Sequence, residues 1–371
     1  MSYSPGLKDI VAAETRLSHV DGEAGKLVIG GYPLEEIAER ATYEEMAHLL
    51  WHGSLPDAAA LDRFAGELAA GRALSGTSID ILRNAAKERR PVIDAVRMTV
   101  ASLPSTDDAA DVRSLVTGLP IVVAAYWRLL HGEEPVEPDP VLGHVANLLY
   151  MLHGEIPGDE RVRALTTYLN TVIDHGMNAS TFAARVIVST RSDFISAVAG
   201  AIGALKGPLH GGAPGPVISM LEAIGDADNA DDAERYLRKK LESGERLMGF
   251  GHAVYRVRDP RADVLSRAAR SFFADEDKLY ALALHVEKTA IELLEEYKPG
   301  RRLQTNVEFY TALLLRGLGL HPELFTPMFA TGRVAGWVAH CMEQRSVDRI
   351  FRPESRYTGI ESDRWTPVED R

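Results

Sequence analysis

Apolar residues recur at helical spacing along nearly the whole chain. Leu61, Phe64 and Leu68 fall on one helical face, with Asp57 placed to cap the helix and Gly71 to end it. Thr42 and Glu45 have the spacing of a capping box and open an apolar run over 46–51. The same period predicts helices over about 109–130, 159–174, 192–205, 231–241, 260–273 and 279–297. Alternating β-branched patterns are scarce, and Lys26–Ile29 is the best strand candidate. The pattern therefore predicts an all-α fold. Repeats and low-complexity linkers are absent, so a second domain would pack tightly against the first.

Glycine and proline gather in two stretches that the helical pattern does not explain. One is Lys206-Gly-Pro-Leu-His210-Gly-Gly-Ala-Pro-Gly-Pro216; the other is Met248-Gly-Phe-Gly251-His252-Ala-Val-Tyr-Arg256-Val-Arg258-Asp-Pro-Arg261. Each sets a histidine in backbone unsuited to the middle of a helix, and loops held on a rigid scaffold are where chemistry concentrates.

Composition narrows the class. The 371 residues are 46% hydrophobic and 25% charged, as in a globular protein of one large and one smaller domain, or of two ordinary ones. With 41 basic against 53 acidic residues the net charge is −12, which argues against a nucleic-acid partner. The longest apolar run, from Leu119 to Leu130, is broken by Pro120 and Arg128 and is short of a membrane span. The first residues lack the basic and apolar regions of a secretory signal, so a cytoplasmic location is expected. A lone cysteine, Cys341, excludes an internal disulfide and a multi-cysteine zinc site.

Common catalytic motifs are missing: there is no P-loop, no G-x-S-x-G and no HExxH. His48 and His52 share a helix face, but with no glutamate base between them and no third ligand nearby they read as structural, and no metal is expected. His210 lies before two glycines, where a neutral imidazole could donate to a developing oxyanion. His252 is followed by Arg256, Arg258 and Arg261, which together suggest an anion site. Glu308 stands three residues after Thr305, the spacing of a second capping box, which locally assigns it to a helix start. Arg333 and Arg352 flank an apolar helix, and His175 lies near a helix C-terminus.

Together these segments resemble the citrate synthase family, in particular the shorter, dimeric citrate and 2-methylcitrate synthases of bacteria. The resemblance rests on Gly207-Pro-Leu-His210-Gly-Gly, Gly249-Phe-Gly-His252-Ala-Val-Tyr-Arg256 and Asn306-Val-Glu308-Phe-Tyr. Asp174-His175-Gly-Met-Asn-Ala-Ser-Thr181, Arg333-Val-Ala-Gly-Trp-Val-Ala-His340, Gly6-Leu-Lys-Asp-Ile-Val11 and Asp21-Gly-Glu-Ala-Gly25 support it, from about residue 6 to Gly359.

The resemblance implies an all-α homodimer with a large domain (1–213 and 315–371) and a small domain (214–314). It implies condensation of acetyl-CoA with oxaloacetate and hydrolysis of the thioester, with no cofactor. His210 would hold the enol oxygen, His252 polarise the oxaloacetate carbonyl, and Glu308 take the α-proton. His175, Arg261 and Arg333 would bind oxaloacetate, and Arg352 would come from the partner subunit. Arg256, with Gly249 and Gly251, would contact CoA. The resemblance leaves open propionyl-CoA as the acyl donor, or a weakly catalytic paralogue that binds CoA or a dicarboxylate. One departure stands out, because the family has aspartate where this chain has Glu308. The extra methylene adds about 1.5 Å of reach, whereas the carboxyl pKa difference is only about 0.4 units. Geometry, not basicity, is the issue.

Overall fold

The computed structural model of the chain describes residues 3–7, 9–211, 214–225, 230–252, 254–273 and 277–371. An antiparallel sheet of β1 (Ser18–Asp21), β2 (Lys26–Ile29) and β3 (Tyr32–Pro33) comes first, in that order, with Ser18 opposite Ile29 and Asp21 opposite Lys26. Sixteen helices follow among the described residues: α1 (Leu34–Ile37), α2 (Tyr43–His52), α3 (Ala58–Ala70), α4 (Gly76–Lys87), α5 (Val92–Val100), α6 (Asp108–Leu130), α7 (His144–His153) and α8 (Asp159–Val172) form the first half. The second half is α9 (Ala179–Val188), α10 (Phe194–Leu205), α11 (Pro214–Ile224), α12 (Ala230–Glu242), α13 (Pro260–Phe272), α14 (Lys278–Tyr297), α15 (Val307–Gly317) and α16 (Phe325–Val347). The all-α expectation holds, with the small sheet as its one addition.

Local signals are honoured where short polar side chains can reach free amides. Thr42 and Glu45 form the expected reciprocal box at the start of α2, and Asp57 caps α3, which ends at Gly71. The sheet needed a partner for Lys26–Ile29, and the partner Ser18-His-Val-Asp21 is too polar to announce itself. The turn between them is closed by Asp21, whose Oδ1 accepts from the amides of Glu23 (3.1 Å) and Ala24 (2.9 Å), an Asx turn.

Helix α16 is buried along most of its length and is packed by α2, α6, α8, α9 and α10. Two glycines one turn apart bring it onto α8. A Cβ on Gly332 would lie 3.1 Å from the Leu169 carbonyl oxygen, and one on Gly336 would lie 2.1 Å from that of Ile173. No larger residue permits that approach, which sets Arg333, Trp337 and His340 directly against the end of α8 and the His175 segment. Helix α6 is long and apolar enough to cross a bilayer, but it is buried among α4, α5, α7 and α16 and is a core helix. Cys341 is fully buried, with its thiol pushed up to about 12 by burial, and so is inert. His48 and His52 pack on Phe64, as their structural reading expects; no metal-binding cluster occurs among the described residues.

Candidate active site

His210 sits on a tight turn just past α10. The Gly211 amide returns to the Leu205 carbonyl (2.9 Å), and a Cβ there would lie 2.7 Å from that oxygen, so the glycine is obligatory. Gly212 lies outside the described residues. The turn points the ring at the start of α9, where Asn178 is the cap. The free amide of Ser180 donates to Nε2 at 3.3 Å, and the Ser180 hydroxyl lies 2.8 Å from the same atom. A backbone amide can only donate, so Nε2 carries the lone pair and the ring proton is at Nδ1. Burial, reinforced by the charge of Arg333, lowers the pKa to about 4. The ring is neutral at neutral pH.

His252 has the opposite tautomer. Its Nδ1 accepts from the amides of Val254 (3.0 Å) and Tyr255 (3.2 Å), which leaves the proton on Nε2. Burial and then the charge of Arg261 hold its pKa at about 4. Nε2 is 3.1 Å from Nη2 of Arg261. Two N–H groups therefore face one another, an arrangement satisfied when an oxygen acceptor takes both.

The loop carrying His252 is stitched to the segment that opens α15. Gly249 and Gly251 have φ of 87° and 83°, and a Cβ on Gly249 would lie 2.8 Å from the Phe309 ring. The Gly251 amide donates to Gln304 O (2.7 Å), the Asn306 amide to Gly249 O (3.0 Å), and Asn306 Nδ2 to Gly251 O (2.9 Å). His252 and Glu308 thus ride on one unit. Asn306, not Thr305, caps α15, accepting from the Glu308 amide at 3.1 Å. The Thr305 hydroxyl is engaged elsewhere, donating to Glu287 at 2.6 Å, so the expected Thr305–Glu308 capping box does not form. Glu308 is left with an enclosed Oε2 that has no partner. Burial raises its pKa above the usual carboxylate value, against the opposing charge of Arg261.

Of the three arginines after His252, only Arg261 belongs to the site. It is buried, and its Nε and Nη2 grip Asp259 at 3.1 and 2.8 Å. Arg258 turns away to Asp263 (2.5 Å) and Glu287 (2.6 Å), so its charge is consumed in ion pairs. Arg256 is exposed, and its amide donates to Gly22 O (2.9 Å) in the β1–β2 turn. The three-arginine anion site expected from the sequence is therefore corrected to one arginine beside His252.

A second arginine arrives from α16. Arg333 is fully buried, stacked 4.7 Å over Phe329, with Nε on the Val172 carbonyl and Nη2 unpartnered. Burial drags its pKa down to about 10 although Asp174 opposes the fall. His175 is buried, its Nε2 3.0 Å from the Tyr255 hydroxyl and its ring 5.7 Å from that of His252. Arg352 stands apart from this cluster, exposed and, among the described residues, hydrogen-bonded to the carbonyl of Pro353 (3.1 Å).

Several supporting residues escaped the sequence reading. His340 accepts from Arg185 at Nδ1 (2.9 Å) and donates from Nε2 to Asp174 (3.1 Å), which also takes the Ser18 hydroxyl (2.5 Å). This chain of bonds fixes the backbone that presents His175. Asp259 carried a usable signal, an aspartate directly before proline at a helix start.

A family model described as "Citrate synthase, C-terminal domain" matches residues 6–354. The chain belongs to the citrate synthase family. The citrate synthase of Haloferax volcanii is 40% identical over 381 residues, covering 99% of this chain and 98% of its own. The 2-methylcitrate synthase of Mycobacterium tuberculosis (strain H37Rv) is 37% identical over 364 residues, covering 96% and 90%. The solved ternary complex of Thermoplasma acidophilum citrate synthase with carboxymethyl coenzyme A and oxaloacetate has a TM-score of 0.89 and 28% identity, covering both chains in full. Family membership agrees with the resemblance drawn from the motifs and with the helical architecture.

Proposed function

We propose that the protein condenses acetyl-CoA with oxaloacetate and hydrolyses the resulting thioester to citrate and CoA. The observation that carries this reading is the pair of facing donors, His252 Nε2–H and Arg261 Nη2, 3.1 Å apart. An oxaloacetate oxygen accepting from both relieves their confrontation and has its carbonyl polarised by the same bonds. Arg333 supplies an unpaired guanidinium edge for a carboxylate, and His175 stands beside His252, ring to ring at 5.7 Å.

The acyl partner enters against His210. Glu308 removes the α-proton, and Nδ1–H of His210 holds the oxygen that gains charge as the C–H bond breaks. The enol carbon then attacks the polarised carbonyl, and water cleaves the thioester afterwards. A buried, proton-hungry Glu308 suits this task, because its raised pKa brings it closer to that of a weak carbon acid. Exposed Arg256 is available for the phosphates of CoA, whereas the faces of Gly249 and Gly251 that a side chain would take are filled by Phe309 and Leu303. A cleft of about 700 Å³ beside the loop, walled in part by Lys240, Arg246 and Met248, supports the same placement.

Residues 214–314 serve as the small domain that closes over the substrates. No metal or cofactor takes part. The enzyme works in the cytoplasm as a homodimer, and the exposed segment after α16 gives Arg352 to the partner's site. Its exposed Ile350, Tyr357, Ile360 and Trp365 support a role against a second copy.

The M. tuberculosis relative favours a second reading, 2-methylcitrate formation from propionyl-CoA, which differs by one methyl, about 1–3 kcal/mol of discrimination. The weakly catalytic paralogue loses its main support, because Glu308 is not held in a capping box. Thiol release with oxaloacetate and either acyl-CoA separates the three. The proposal expects a higher kcat/KM with acetyl-CoA; a preference for propionyl-CoA favours the second reading, and release with neither contradicts both.

A further inference from the structure

Three of the buried polar atoms that lack a partner belong to one neighbourhood: Arg333 Nη2, Glu308 Oε2 and the hydroxyl of Tyr168. Tyr168 is fully buried in α8. It lies one turn before Val172, whose carbonyl takes Arg333 Nε, and α8 packs against both α15, which carries Glu308, and α16, which carries Arg333. Its oxygen is within electrostatic reach of Arg333 and Glu308. Buried polar groups are nearly always paired, so three orphans together mark a network completed in the working state. Their chemistry is complementary. Arginine only donates, an ionised carboxylate only accepts, and a phenol does both.

We propose that Tyr168 is a positioning residue for Glu308, its hydroxyl donating to Oε2 when the substrates are bound and so aiming the long glutamate arm and keeping it ionised. The inference rests on the reading of Glu308 as the base. Among the other donors of this neighbourhood, Arg261 is already committed and Arg333 keeps one free N–H group. Arg261 holds Asp259 on the approach to α13, and the proposed function gives His252 Nε2–H and Arg333 Nη2 to the oxygens of oxaloacetate. From α14, Glu287 is already taken by Arg258, Thr305 and Tyr310, and Glu222 of α11 is exposed. Tyr168 offers a buried hydroxyl with no partner, on a helix that packs against α15.

The test is the pH dependence of α-proton exchange from acetyl-CoA in the full-length enzyme, with oxaloacetate KM measured alongside. A hydrogen bond to the ionised base lowers its pKa. Tyr168→Phe should therefore move the acid limb up by about one pH unit, a roughly tenfold loss on that limb, with oxaloacetate KM unchanged. Replacing Tyr168 by 3-fluorotyrosine, a stronger donor of nearly the same shape, should move the limb the other way, and it serves if the phenylalanine variant does not fold. An unmoved limb in either variant overturns the proposal. So does a raised oxaloacetate KM with an unmoved limb, which would assign the hydroxyl to the substrate carboxylate. Glu308→Gln separates the two levels: exchange that survives it removes the base assignment itself, whatever Tyr168 does.

Discussion

The turns that carry His210 and His252 solve one problem in opposite ways. Both rings are held near pKa 4 by burial and a neighbouring arginine, and both are neutral. At His210 a helix-start amide reaches Nε2 and leaves the proton on Nδ1; at His252 two loop amides reach Nδ1 and leave it on Nε2. Each ring is thereby a one-proton donor with a set direction, which the proposed function uses for the acyl-CoA at His210 and for the oxo acid at His252. Backbone geometry chooses the tautomer, and glycines allow that geometry: Gly211 under the first turn, Gly249 and Gly251 in the second.

Removing either ring should break the comparison most severely. His210→Ala and His252→Ala should each lower kcat by ~10²–10³, the scale of one lost oxyanion donor. They should differ in kind. Only the His252 change should shrink the shift in the oxaloacetate carbonyl stretch on binding, read by infrared difference spectroscopy. Equal spectral shifts in wild type and the His252 variant would contradict its assignment.

The pH profile separates the donors from the base. As the proposed base Glu308 must be ionised, and burial raises its pKa above the usual carboxylate value, whereas the histidines must be neutral and stay so down to about 4. As pH falls from neutrality, activity should therefore decline first through one protonation, that of Glu308. Glu308→Gln should abolish α-proton exchange and leave Tm nearly unchanged. A limb that persists in the residual exchange of that variant would assign the titration to another group.

The smallest expected effect comes from the glycines. Gly211→Ala and Gly249→Ala each force a Cβ into occupied space, an overpacking worth about 1–3 kcal/mol in thermal or denaturant unfolding. Each should also impair the histidine it supports. Loss of stability without loss of turnover would mean that the turns hold the fold but not the tautomers.

What the sequence made legible follows the same division. Helix positions were readable, because periodicity and caps such as Asp57 and Thr42 act within a few residues. His210, His252, Glu308 and Arg333 were readable as a set through motif resemblance; in the structure His210 and Arg333 both pack on Phe329, and His252 lies against Arg261, whose charge acts on Glu308. What failed was local inference about charge and capping. Arg258 looked like a ligand because its partner Glu287 is 29 residues away, and Thr305 looked like a cap because the same glutamate was invisible to it. Tyr168 gave no signal at all: one tyrosine on an apolar helix face is ordinary until its hydroxyl is found buried and unpaired.

The central claim is that the two histidines are neutral and carry their protons on opposite nitrogens. Nitrogen-15 NMR of imidazole-labelled enzyme at neutral pH, assigned with His210→Ala and His252→Ala, reads this directly. The account predicts a protonated Nδ1 with a bare Nε2 at His210, and the reverse at His252. An imidazolium at either position, or the same tautomer at both, would contradict it.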